Sequence, residues 1–154
     1  MPEIRSVRPG DLPALIEVFW RGVHEGAAPR YDADQRHAWL PERPSEIVFA
    51  DRLDGQDVLV GEVAGVPAGF ATCTAAGNLD LLFVAPEARR SGLAAALLTA
   101  IENRARAAGL TRLDTRASDM ARPFLARHGW QVVAPAPQVR DGICLSATDM
   151  RRDL

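Results

Sequence analysis

Arg89-Arg90-Ser91-Gly92-Leu93-Ala94-Ala95 stands between an apolar run, Leu79 to Val84, and the start of a long helical pattern. The first turn of a helix carries N–H groups without intrahelical partners and a partial positive charge, which Asp or Glu usually offsets. This first turn has no carboxylate. It offers small side chains at Gly92, Ala94 and Ala95, which let a ligand approach the backbone, behind two arginines that raise the potential further. That is chemistry for gripping an anion such as a pyrophosphate. The alternative is a plain strand-to-helix connection with exposed arginines.

Asp80 is the one carboxylate inside the apolar run. Burial there is expected to lift its pKa towards the range useful for proton transfer. The alternative is an ion pair with Arg112 or Arg116 on a neighbouring strand, and Glu62 is a further candidate for the proton-transfer role. His24, His37 and His128 have no ligand-like spacing with each other or with the cysteines, so no metal site is expected. No Gly-x-Ser-x-Gly elbow of a serine hydrolase is present. All 18 basic residues are arginine, which excludes a Walker-type phosphate loop, a Schiff base and any lysine nucleophile.

These residues must be positioned by elements that the pattern of the chain predicts. Ile4 to Arg8 reads as a short strand, followed by Pro9-Gly10-Asp11 with Asp11 as the cap of a helix carrying Leu12, Leu15, Ile16, Phe19 and Val23 at helical spacing. A second helix starts at Asp32, with Gln35 as its capping-box partner, and runs to about Leu40, where Pro41 and Pro44 end it in a loop. Val58 to Val63, the turn Ala64-Gly65-Val66-Pro67 and Gly69 to Cys73 form a hairpin. Leu79 to Val84, halted by Pro86, is a buried strand expected at the centre of the sheet. Leu93, Leu97, Leu98, Ile101 and Ala105 share one helix face, with Gly109 as the stop. A strand near Leu113, a helix from Asp119 to Arg127, a strand from Trp130 to Val133 and a last strand from Ile143 to Leu145 complete a mixed α/β sheet.

At 154 residues, 47% hydrophobic and 25% charged, the chain has the proportions of one globular domain, residues 1–154. A net charge of −2 from 20 acidic and 18 basic residues scattered along the chain lacks the basic face of a nucleic-acid binder. A small-molecule partner is expected instead. Cys73 and Cys144 lie in apolar stretches and read as core residues of a reducing cytoplasm. No run approaches the ~20 apolar residues that cross a membrane, and Met1 to Gly10 lacks a signal peptide's apolar run. A cytosolic protein without membrane contact is expected.

Arg89-x-x-Gly92-x-Ala94, after an apolar strand and Pro86, resembles the acyl-CoA signature of the GNAT superfamily of N-acyltransferases, Arg/Gln-x-x-Gly-x-Gly/Ala. Ser118-Asp119-Met120-Ala121-Arg122-Pro123-Phe124-Leu125-Ala126-Arg127-His128-Gly129-Trp130 resembles the family's second block, an Asn-x-x-Ala helix followed by an aromatic pair and Gly-Phe. Val58 to Thr72 resembles the hairpin that precedes the CoA strand. The resemblance implies a central mixed, twisted sheet flanked by helices, whose fourth and fifth strands splay apart to take the pantetheine of acetyl-CoA. By position, Leu82, Phe83 and Val84 would hold the pantetheine, and Arg89, Arg90, Ser91, Gly92, Leu93, Ala94 and Ala95 the pyrophosphate. Ser118 stands where the family often has an asparagine on the pantetheine, and a hydroxyl replaces only part of an amide's hydrogen bonding.

The implied activity is direct transfer of an acetyl group from acetyl-CoA to the amine of a small molecule. An acyl-CoA-binding sensor or docking module without turnover, and a protein-directed N-acetyltransferase, are the alternatives. Asp80 lies where some members carry a carboxylate. It would face the splayed gap if it shares a side with Leu82 and Val84, and would take the amine's proton directly or through water. Leu125 occupies the position where a tyrosine often protonates the leaving thiolate. Either no dedicated acid acts, or water or another hydroxyl supplies the proton. Tyr31, the only tyrosine, is a candidate for that role. Tyr31, His37 and Trp39 either line the acceptor site or simply pack. Homodimers are common in the family, but no stripe of this sequence argues for one.

Overall fold

The computed structural model describes residues 2–154. Ala64 and Gly65 both take positive φ, 53° and 78°, the pair that matches a two-residue turn to the right-handed twist of its strands. They join strands β2 (Asp57–Val63) and β3 (Val66–Cys73). Strand β1 (Glu3–Ser6) flanks β2 and β4 (Leu79–Val84) flanks β3, all antiparallel, in the order β1-β2-β3-β4. A second sheet has the order β5-β9-β6, from β5 (Arg112–Ser118), β9 (Ala147–Asp153) and β6 (Gln131–Pro135). The short strands β7 (Gln138–Arg140) and β8 (Ile143–Leu145) form a separate hairpin.

The two larger sheets touch at one end only. Asn78 and Asp114 form a lone parallel bridge, Asp114 N–H donates to Gly77 O at 2.9 Å, and Thr115 Oγ1 donates to Leu79 O at 2.7 Å. Beyond this pin β4 and β5 have no further pairing, which is the expected splay. β4 is therefore central in the molecule yet bonded to a strand on one side for most of its length.

Among the described residues, five α-helices surround these strands: α1 (Leu12–Arg21), α2 (Ala33–Trp39), α3 (Glu46–Leu53), α4 (Leu93–Ala107) and α5 (Ala121–Arg127). The reciprocal Asp32–Gln35 box opens α2 as the sequence predicts, with bonds of 2.8 and 2.9 Å. Leu93, Leu97, Leu98 and Ile101 of α4 are buried and close on the sheet over a glycine. A Cβ at Gly69 would stand 3.0 Å from both Leu93 Cδ2 and Phe83 O. Other phenylalanines join α1 and α3 to β3 and β4, with ring separations of 5.0 Å for Phe19–Phe83, 6.0 Å for Phe49–Phe70 and 6.1 Å for Phe70–Phe83.

Several expectations are corrected. Helix α3 occupies a segment between the Pro44 loop and Asp57 for which the sequence predicts no element, capped by the Ser45 hydroxyl accepting Val48 N–H at 3.2 Å. Ile143 to Leu145 is not the last strand; β9 follows it and lies between β5 and β6. Cys73 is buried, and burial pushes its thiol up to about 11, but Cys144 is exposed. Asp11 stands at the N-cap position of α1, but its side chain makes no capping bond to that helix. Its buried carboxylate accepts Arg8 N–H at 2.7 Å and two bonds from the Arg5 guanidinium at 2.8 and 2.9 Å, because one turn of 3-10 helix, Pro9–Asp11, precedes α1.

The Arg5 guanidinium holds the Asp11 carboxyl below its ordinary value of 3.8. A depressed carboxylate stabilises fully above its unfolded pKa and loses that contribution as pH falls through the folded value. Asp11→Ala is expected to destabilise by about 2–3 kcal/mol at neutral pH. In urea denaturation the gap to the parent should narrow only below about pH 4.

Candidate active site

A cleft of about 700 Å³ lies along the seam between β4 and β5, within the range of roughly 300–1,000 Å³ typical of small-molecule sites. Leu82 and Phe83 of β4 line it, as do Ala117 and Ser118 of β5. Past the pin at Leu79 the open edge of β4 has no partner strand. Its peptide groups must find hydrogen bonds in solvent or in a ligand.

Tyr31, Trp39 and the β7–β8 hairpin supply another wall. Asp141 and Gly142 turn that hairpin with φ of 50° and 75°. It is held by Gln35 Nε2 donating to Cys144 O at 3.2 Å and by Leu145, which is buried with Ala27 and Tyr31. Trp39 lines the cleft, whereas His37 is exposed and outside the lining.

Beyond the cleft's Phe83, the chain turns through one 3-10 turn, Pro86–Ala88, into α4. Gly92 caps that helix at φ 84°, with no carboxylate in the first turn and no side-chain cap. Ala96 N–H to Gly92 O, 3.0 Å, is the first intrahelical bond. Ser91 Oγ donates to Ala88 O and accepts Leu93 N–H at 3.3 Å. The N–H groups of Gly92, Ala94 and Ala95 have no protein partner among the described residues, and nothing stands within 4 Å of a Cβ built on Gly92. The helix start therefore presents open amides to an anion.

The two arginines of this loop differ. Arg90, at φ 64°, is exposed and has no carboxylate partner among the described residues. Arg89 instead donates to Gly26 O at 2.8 Å. Gly26 closes a π-helical turn, Gly22–Gly26, at the end of α1, and a Cβ on Gly26 would meet Arg89 Nη2 at 2.7 Å. Arg21 adds a second strap, reaching Glu87 at 2.7 Å. Arg89 thus holds the loop against α1 rather than extending over the open amides.

Asp80 lines the cleft, but its ion pair is not with Arg112 or Arg116. The β3–β4 register slips between Thr72 and Cys73, which pair with Leu81 and Leu79, so Asp80 is the extra residue of a bulge. A bulge re-aims its side chain. Asp80 accepts from Gln56 Nε2 at 2.9 Å and from Arg52 at 3.3 Å. Arg112 pairs with Asp114 and Arg116 with Asp149. With 23% of its side chain exposed, Asp80 is a solvent-reachable paired carboxylate, not a desolvated lone one. Glu62 is bound to Arg5 at 3.2 Å and is outside the cleft lining.

The Tyr31 hydroxyl donates to Ser146 O at 2.7 Å and accepts Asp119 N–H at 2.8 Å. Burial raises its pKa. Both bonds tie the β8–β9 turn to the start of α5, so the proton of Tyr31 is already committed. Ser118 Oγ accepts Ala121 N–H at 3.1 Å and keeps its own proton for a ligand. Leu125 is buried against the cleft and has no polar group to offer.

Arg52, Arg140, Asp149 and Arg151 also line the cleft and were not singled out from the sequence. They stand on α3, β7 and β9, elements the pattern did not reveal. The available signal for α3 was Ser45 ahead of Phe49 and Leu53 at helical spacing.

The chain matches the family model described as an acetyltransferase (GNAT) domain over residues 27–154. It is 33% identical over 131 residues to YafP, an uncharacterised N-acetyltransferase of Escherichia coli (strain K12), covering 85% of this chain and 82% of that protein. A GCN5-related N-acetyltransferase from Rhodopseudomonas palustris superposes with a TM-score of 0.93 at 30% identity, over 100% of this chain and 96% of the other. YncA, a putative acetyltransferase from Salmonella typhimurium solved with acetyl-CoA, superposes at 0.71 with 25% identity, over 100% and 94% of the two chains.

Removing the Tyr31 hydroxyl leaves Ser146 O and Asp119 N–H without their shared partner. Tyr31→Phe is expected to lower stability by about 1–3 kcal/mol, read by denaturant unfolding. Its retained turnover at neutral pH would distinguish a positioning hydroxyl from a proton donor.

Proposed function

The chain belongs to the GNAT family of N-acetyltransferases, and from that premise we propose that it works as a single domain moving an acetyl group from acetyl-CoA directly to the amine of a small molecule in the β4–β5 cleft. The observation that carries this is the junction of two features: an open strand edge along a cleft, and unpartnered amides at the helix start just beyond it. The Salmonella relative, solved with acetyl-CoA, supports the choice of donor.

In this reading the amides of Gly92, Ala94 and Ala95 hold the pyrophosphate, with Arg90 adding positive potential and Ser91 and Leu93 shaping the turn. The edge of β4 at Leu82, Phe83 and Val84 bonds the pantetheine, and the free proton of Ser118 donates to it. Arg89 acts on the loop through Gly26. Acetyl-CoA supplies the activated carbonyl. The amine forms the new C–N bond as the C–S bond breaks. Asp80 receives the ammonium proton, directly or through water. Leu125 offers no acid and Tyr31 is engaged, so the nitrogen's second proton, made acidic as the C–N bond forms, passes through water to the leaving thiolate. The walls formed by α2 and the β7–β8 hairpin favour a small acceptor over a protein chain.

The same lack of an acid favours a second reading, a module that binds acyl-CoA without turnover. Thiol release from acetyl-CoA with a broad amine panel separates the two. Release that depends on the acceptor supports transfer, while tight CoA binding with no release from any amine leaves the module.

Gly92→Glu places a carboxylate among the amides at a backbone angle that side chains rarely adopt. CoA affinity should fall at least about tenfold by calorimetry; unchanged affinity would remove the loop assignment. Asp80→Asn should lower kcat by about 10²–10⁴ while CoA affinity stays within about threefold of the parent. Equal activity across the pH range would remove Asp80 as the base.

A further inference from the structure

Five arginines line the cleft, Arg52, Arg112, Arg116, Arg140 and Arg151, against three aspartates, Asp80, Asp114 and Asp149. The whole chain carries −2, so this cationic excess is local. Four of the arginines meet a carboxylate: Arg52 meets Asp80 at 3.3 Å, Arg112 and Arg151 share Asp114 at 3.4 and 3.6 Å, and Arg116 reaches Asp149 at 3.9 Å. The compensation is thin. Asp114 divides one charge between two cations, and the buried Nε of Arg151 has no hydrogen-bond partner among the described residues.

Arg140 meets no carboxylate among the described residues. Its Nη1 donates to Trp39 O at 2.8 Å and its Nη2 to Gln138 Oε1 at 3.5 Å. Both acceptors are neutral, so the guanidinium keeps its full charge, and its remaining N–H donors are uncommitted. The carbonyl of Trp39 fixes this arginine at the wall of the cleft. One nitrogen of this exposed guanidinium is anchored there, and its remaining donors are open to a two-oxygen anion.

An amine enters such a cleft as an ammonium, which a surplus of arginines repels. The repulsion is relieved when the same molecule carries an anion. We propose that the acceptor is a small amine bearing an oxyanion, a carboxylate or a phosphonate-type group, with the oxyanion on Arg140 and the amine on the side of Asp80. This rests on the transferase reading above and narrows it to one class of acceptor.

Binding can be tested without turnover by calorimetric titration into the protein saturated with CoA. The probes are matched sets: small amino acids, their carboxamides and the corresponding aminophosphonates. The oxyanion members should bind at least about tenfold more tightly than the carboxamides, and the carboxylate and phosphonate arms show which oxyanion the site takes. Arg140→Met should bring acid and carboxamide within about threefold of each other, while Arg140→Lys should retain part of the preference. Equal affinity of acid and carboxamide, no binding by any acid of the panel, or an unchanged preference in folded Arg140→Met would overturn the proposal. Selective binding without any thiol release from acetyl-CoA would instead sink the transferase reading and leave the ligand class standing.

Discussion

Everything about this cleft depends on two neighbouring strands that stop pairing after one bridge. Backbone N–H and C=O groups away from water normally require partners, so a strand edge opened in the middle of a protein must be compensated elsewhere. Here the compensation is lopsided. β4 is bonded along its other edge to β3, β5 is bonded to β9, and the Thr115 hydroxyl with the Asn78–Asp114 bridge pins the near end. The two sheets are each held from outside, which frees the space between them to stay open without the fold closing over it.

The same constraint explains the crowding of glycines around β4. Phe83 fills the side towards α1, where a Cβ on Gly22 would stand 2.5 Å from its ring. On the other side Gly69 lets α4 settle onto the sheet. The π-helical turn carries both Gly22 and Gly26, and so serves β4 and the loop before α4 together. One irregular turn sets where the strand edge and the helix start lie relative to one another. π-Helical turns of this kind often mark functional places, and here the physical reason is the contact each glycine permits.

Much of the frame was legible in the residues because local chemistry dictates it. The Asp32–Gln35 box, the Ala64-Gly65 turn, the bounds of β4 and the apolar stripe of α4 all rest on interactions within a few positions of one another. What escaped rests on partners far along the chain. β9 has Thr148 and Met150 facing in, but Asp149, Arg151 and Arg152 between and after them hide the alternation; its place in the sheet comes from β5 and β6. Asp11 looks like a cap until Arg5 and Arg8 are seen to claim its carboxylate. Asp80 lies on the expected strand, but its bulge, visible only in the register against β3, turns it towards α3 and Arg52. The loop before α4 was thus readable from its own segment, and the charged lining of the cleft was not.

The β7–β8 hairpin bears on how such an enzyme diversifies. It meets the rest of the molecule on one side, through Leu145 and Ile143 in the cluster with Tyr31, the carbonyl of Cys144 on Gln35, and Arg140 on Trp39. Val139 and Cys144 face solvent. A segment rooted on one side only can change its outer side chains while the parted strands and the helix start behind it stay intact. On the proposed reading, in which the acceptor lies against this hairpin, selectivity would drift there faster than the donor chemistry, giving new clients to an unchanged engine.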